Sequence, residues 1–257
     1  MKYLFTLSAF LLTSACFAQQ KQYVFLLKNN GDHVHTKDSM DYIRVVKGPV
    51  EGSKLYSVAE YYPSGKPRSV GQSSGIDPVI WEGAYMAYWP NGNKKTSASY
   101  QKNKITGTDS SFFSNGKLHY VTEYTQSDST LKDANAQWLT AFIKTCNDST
   151  EKALLVNGNG YFVDYNDSSS TVAEEGNVKQ GKRVGEWKGG NEIEHITYKE
   201  TYDTTGTLVS GTSTDQDGIH TYITRYVPAH YKGGNKAFNN YLIHTIRYPA
   251  IAREKNI

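Results

Sequence analysis

The stretches of this 257-residue chain that could do chemistry are short and scattered. His33-Val34-His35 sets two imidazoles on one side of an extended segment, since alternate residues of a strand share a face. Two nitrogens without a third ligand nearby make a weak metal site, because even catalytic zinc keeps about three protein ligands. These histidines are expected to be structural or solvent-exposed. Cys146 has no neighbouring His in sequence and is expected to be a buried, inert thiol. Asp164 to Asp167, with Ser168, lacks the spacing and the closing Glu of an EF-hand loop and reads as a turn. Gly158-Asn159-Gly160 turns a hairpin rather than cradling a pyrophosphate, because no helical pattern follows it. With no P-loop, nucleophile elbow or paired-carboxylate signature either, the chain is expected to be non-enzymatic, with no metal and no cofactor.

Aromatic side chains are the stronger candidates for binding. Three similar units align: Glu60-Tyr61-Tyr62-Pro63-Ser64-Gly65-Lys66, Tyr88-Trp89-Pro90-Asn91-Gly92-Asn93-Lys94 and Phe112-Phe113-Ser114-Asn115-Gly116-Lys117, their glycines 27 and 24 residues apart. A period in the twenties carrying paired aromatics, a glycine turn and a Lys marks one repeated supersecondary unit. Tyr61, Tyr88, Trp89 and Phe112 would stack on sugar rings from an exposed sheet face, or else fill the core between units, and repeats must bury something.

These rings sit among strands. Tyr contributes 20 residues, beside 9 Phe and 4 Trp, and aromatic enrichment favours strands over helices. Asn-Gly between such segments is a strong hairpin signal, which predicts type I′ turns with both central residues at positive φ. Second strands such as Lys94 to Tyr100 and Leu118 to Tyr124 alternate polar and apolar, which predicts one wet face. Lys102 to Gly107 supplies a return turn. Further strands are expected at Phe142 to Cys146 and Tyr161 to Tyr165, and a short helix at Ala134 to Leu139. Tyr23 to Lys28 and Tyr42 to Lys47, around Asn29-Asn30-Gly31, form an N-terminal pair that caps the array. The fold class is therefore mainly β: an elongated antiparallel sheet of hairpin repeats with a short C-terminal α-helical segment.

Lys2, the apolar stretch Tyr3 to Leu12 and the small residues up to Ala18 form an export signal, with cleavage expected after Ala18. The apolar stretch is shorter than the roughly 20 residues that span a bilayer, so no stable membrane span is expected after cleavage. Lipidation at Cys16 is the alternative, although Thr13 stands where a lipobox usually has Leu. The 28 basic and 25 acidic residues are spread along the chain, which argues against a nucleic-acid partner. From Pro228 the period becomes helical: Phe238, Tyr241, Leu242, Thr245 and Ile246 share a face, and Tyr248-Pro249 ends the segment.

Two resemblances follow from these residues. The aromatic turn units, with weaker copies at Glu174 to Trp187 and Thr201 to Leu208, resemble MORN-like repeats of the YwqK antitoxin type. Pro228, Tyr231, Gly233, Gly234, Phe238, Tyr241, Leu242, Ile246, Tyr248, Pro249, Ala252 and Ile257 resemble the start of a TonB C-terminal domain. That family continues with a three-stranded sheet whose edge receives a partner peptide, so residues 227–257 are expected to be an incomplete domain. The combination resembles Bacteroidetes-type envelope proteins described as energy transducers. It implies four regions: a signal peptide at 1–18, a β cap at 19–54, repeats at 55–226 and the tail at 227–257.

The function expected is an exported repeat scaffold in the periplasm or outer cell envelope that binds a protein partner, including TonB-system components. Tyr61, Tyr88, Trp89, Phe112, Phe238, Leu242, Ile246 and Tyr248 are the contact candidates. The alternative is an envelope glycan-binding module using the repeat aromatics. A cytoplasmic antitoxin role, which the repeat family's name suggests, conflicts with the export signal.

Overall fold

The computed structural model describes residues 20–126, 139–167, 171–192 and 194–224. They form one 16-stranded antiparallel sheet whose spatial order is the chain order. The strands are β1 (Gln22–Leu27), β2 (Tyr42–Lys47), β3 (Tyr56–Tyr61), β4 (Pro67–Ser73), β5 (Trp81–Tyr88), β6 (Lys94–Gln101), β7 (Lys104–Phe112) and β8 (Leu118–Gln126). They continue as β9 (Leu139–Asn147), β10 (Ala153–Val156), β11 (Asn159–Tyr165), β12 (Val172–Lys179), β13 (Lys182–Asn191), β14 (Ile196–Tyr202), β15 (Leu208–Asp215) and β16 (Gly218–Tyr222). The mainly β, elongated hairpin sheet expected from the sequence is what forms. The expected helix over Ala134 to Leu139 falls mostly outside the described residues, and its last residue opens β9 instead. The export signal and the tail with Phe238, Leu242, Ile246 and Tyr248 also lie outside them.

The turns differ from the expected type. In the three aromatic units only the glycine is left-handed, Gly65, Gly92 and Gly116 at φ 80°, 97° and 86°, while Asn91 and Asn115 are not. Each is a longer turn with a glycine bulge: the Gly92 amide donates to the Trp89 carbonyl and the Trp89 amide to the Asn93 carbonyl, both at 2.8 Å. The Asn side chain explains the choice, since Asn91 Oδ1 accepts the Asn93 amide at 2.9 Å and Asn115 Oδ1 the Lys117 amide at 3.0 Å. The same hydrogen bonds close Asp203 to Thr207, the weaker repeat copy. The type I′ pattern instead occupies return turns, at Lys102-Asn103, Asn157-Gly158 and Gln180-Gly181, where both residues have positive φ. Glu174 to Trp187 is therefore a tight hairpin between β12 and β13 rather than an aromatic turn unit.

Alternation sorts the sheet into two faces. Register places Val46 opposite Val58, Tyr85 opposite Ala98 and Gly176 opposite Trp187 on one face. That face holds an N-terminal core of Val46, Val58 and Val79 and a larger one that includes Cys146, Leu155, Phe162 and Trp187. The opposite face is polar across β12 to β15, where Glu175, Lys188, Lys199 and Thr212 stand in one row, while over β1 to β5 it carries Val24, Val45, Ala59, Val70 and Met86.

Beside β10, which has only 4 residues, the sheet bends, so that His119 of β8 bonds the Val163 carbonyl of β11 and the Tyr120 and Phe162 rings lie 5.2 Å apart. The Gly158 amide donates to the Lys144 carbonyl at 2.8 Å, and the Ile143 amide to the Gly181 carbonyl at 2.9 Å, tying the return turns onto β9. This bend brings β8 toward β11.

Candidate functional site

At one edge of the sheet the aromatic turns stack on one another. Tyr62, Trp89 and Phe113 each stand three residues before their turn glycine. The Tyr62 hydroxyl donates to the Tyr88 carbonyl at 2.7 Å, and Trp89 Nε1 to the Phe112 carbonyl at 2.9 Å. Each polar ring atom thus satisfies a strand-end carbonyl of the next unit. Asn91 and Asn93 both donate to the Ser114 carbonyl, at 2.6 and 2.8 Å, and Asn115 to the Ser149 carbonyl at 3.0 Å. The repeats are locked side by side at this edge through ring heteroatoms and amides.

Where the bend brings β11 against this edge, a cleft of about 570 Å³ opens. Its aromatic wall is Trp89, Phe112, Phe113 and Tyr165, and its polar groups include Lys95, His119, Asp148, Asp164 and Asp167. His119 is 4% exposed and lies against Phe113 with ring centroids 4.1 Å apart, with Tyr165 on its other neighbouring side at 5.6 Å. Its Nε2 donates to the Val163 carbonyl at 2.8 Å, which fixes the proton on that nitrogen, while Nδ1 stands 3.7 Å from Asp164 Oδ1. Burial holds its pKa below the ordinary histidine value. The imidazole is neutral near pH 7 and occupied in joining β8 to β11.

The carboxylates differ. Burial pushes Asp164 up to about 6, against the Tyr165 amide that donates to it at 2.9 Å. Asp148 is held below the ordinary range, first by the Thr150 hydroxyl at 2.6 Å and also by the amides of Thr150 and Lys152. Asp167 is paired with Lys95, whose ammonium lies 4.8 Å from the Trp89 ring centroid. No group of three His, Cys, Asp or Glu among the described residues is arranged to hold a metal ion.

Of the four expected repeat contacts, the cleft gathers Trp89 and Phe112. Tyr61 and Tyr88 are half-buried outside it, and the Tyr88 hydroxyl donates to Met86 Sδ at 3.1 Å. Sequence reasoning missed Phe113, although its offset from Gly116 equals that of Trp89 from Gly92. It also missed His119, Asp164, Tyr165 and Lys95, which only the bend brings together. Elsewhere, His33 is exposed and pairs with Asp77 at 2.9 Å, and Cys146 is fully buried with its thiol pushed up to about 11 by desolvation.

A second, shallower groove of about 910 Å³ runs over the polar face, lined by Glu175, Lys188, Thr197, Lys199, Thr212 and Thr214 among others. Neither a protein-family model nor a curated protein matches the chain, and the two concavities must be read from their own geometry.

Proposed function

We propose that this protein is an exported, non-enzymatic repeat scaffold of the bacterial cell envelope that binds a protein partner, resembling TonB-type energy transducers. The observation that carries this reading is the polar face of β12 to β15, where Glu175, Lys188, Lys199 and Thr212 form one row across four strands. Arrays of stacked units use such extended surfaces for recognition rather than chemistry. The signal-like N-terminus supports an envelope location, and the TonB-like tail supports a partner among TonB-system components. Crosslinking of the full chain in an envelope fraction, read by mass spectrometry, tests it. A protein crosslinked to β12 to β15 and lost in Lys188→Glu/Lys199→Glu supports the reading, and an unchanged crosslinking pattern in that variant refutes it.

One observation favours an envelope glycan as a second ligand class: Trp89 and Phe112 line the same cleft beside Ser111 and Asn115. Trp89 emission that changes on adding envelope polysaccharide supports it.

A further inference from the structure

The three turn units each set a basic residue beside a ring and a carboxylate, the ring coming from the unit's own turn in the second and third and from β2 in the first. The basic residue three positions after each turn glycine is Arg68, Lys95 and His119. Each lies against an aromatic ring: Arg68 is 4.0 Å from the Tyr42 centroid, Lys95 is 4.8 Å from Trp89, and His119 is 4.1 Å from Phe113. Each also faces a carboxylate: Glu60 for Arg68, Asp167 for Lys95 and Asp164 for His119.

Exposure separates the three. Arg68 and Lys95 are alike at 29% and 31% side-chain exposure, but Glu60 is 6% exposed and His119 5%, whereas Asp167 is 56% exposed and lines the open cleft with Lys95. In each of the outer two seats one partner is buried, Glu60 in the first and His119 in the third. The middle one opens on the cleft, whose lining includes Asp148, Asp164 and Asp167 beside Lys95, with Phe112, Phe113 and Tyr165 completing the aromatic wall. An exposed ion pair contributes little in water, so the resident ammonium is weakly held. A cation over an aromatic face is attracted by the ring quadrupole, an attraction that a guest ammonium would share.

We propose that this cleft is a binding site for an organic ammonium group, and that Lys95 fills it in the free protein as a tethered stand-in for the guest. The ligand class follows from the walls: rings that attract cations, with an excess of carboxylates for charge balance. The proposal goes beyond the scaffold reading and does not depend on which protein the polar face engages.

Tetramethylammonium chloride is the probe, with sodium chloride at equal ionic strength and tert-butanol as a neutral control of similar shape. Titrations of the full chain are followed by tryptophan emission and calorimetry. Lys95→Met, which removes the charge but keeps the length, is expected to bind tetramethylammonium about tenfold more tightly than the wild type. Asp167→Asn in that background is expected to reverse most of the gain. Equal affinity in wild type and Lys95→Met, or equal binding of tert-butanol, overturns the proposal. Tighter binding of a neutral oligosaccharide, indifferent to Lys95→Met, also overturns it and assigns the cleft to sugars. A measurement on the wild type needs no variant to fold: tetramethylammonium should speed acetylation of Lys95 several-fold relative to Lys66, read by mass spectrometry, and no change in that ratio counts against displacement.

Discussion

Trp187 lies flat against the backbone of Gly176, its partner directly across the β12–β13 ladder. A Cβ at Gly176 would come within 2.4 Å of the indole, and Trp187 itself is fully buried, with Nε1 donating to the Asn177 carbonyl at 2.9 Å. Gly211 and Tyr222 repeat the relationship across β15 and β16, with a ring atom 2.3 Å from the Cβ position. Strand glycines of this kind let a large ring cover the ladder and shield its hydrogen bonds. Gly176→Ala is therefore expected to cost about 3 kcal/mol through overpacking. Gly185→Ala, at φ 67° with nothing within 4 Å, should cost only the backbone strain of about 1–2 kcal/mol. Urea unfolding of the two variants compares them directly.

Glu60 is buried at 5% exposure and serves two cations. Arg44 donates to Oε1 through Nε at 2.9 Å and Nη2 at 2.8 Å, while Arg68 at 3.2 Å and the Ser69 hydroxyl at 2.8 Å donate to Oε2. Neutralising the carboxylate leaves Arg44 without its counter-charge in a poorly hydrated place. Glu60→Gln should destabilise the chain by about 3 kcal/mol, and Glu60→Gln/Arg44→Met should recover part of that loss. A double-mutant cycle in urea measures the coupling.

Asp109 is 7% exposed, and its Oδ1 has no hydrogen-bond partner. Burial raises its carboxyl from 3.8 to about 6. Between those values the folded chain keeps a proton that the unfolded chain has released, so stability falls as pH rises through this window and stays lower above it. Asp164, also at about 6 through burial, acts in the same sense. Asp109→Asn should match the wild type at the acid end of the window and exceed it by about 1–2 kcal/mol above pH 7, where the uncompensated charge is gone. Thermal melts across that range show whether the two curves part in this direction.

Cys146 is fully exposed to nothing but protein. It packs in the central core, and desolvation pushes its thiol to about 11. Alkylating reagents at pH 8 should modify it at least a hundredfold more slowly in the native chain than in denaturant, because reaction needs both thiolate and access. A native rate near that of a free thiol would contradict the burial.

The repeat was legible because a turn is a local event. Two aromatics, a glycine and a Lys within seven residues specify the turn at Trp89 to Asn93 without help from elsewhere. Its exact type was not, because the Asn91 side chain bonds its own turn and Ser114 of the next one, and so displaces the type I′ geometry that Asn-Gly adopts in isolated hairpins. The cleft was half legible. Trp89 and Phe112 were named from the repeat, but Tyr165 and Asp167 reach them only because the sheet bends beside β10, a consequence of long-range packing that no short window contains.

Strand order that equals chain order has a mechanical consequence. Tension on the two ends of the sheet would load one ladder at a time, opening hydrogen bonds in succession as a zipper opens, rather than shearing many together. Such an array yields at low force and in steps. The ties that span the bend, from His119 to Val163 and from Lys95 to Asp167 across 44 and 72 residues, would interrupt that peeling midway. An ammonium guest that dislodges Lys95 would remove one of these ties and lengthen the chain that a given pull releases.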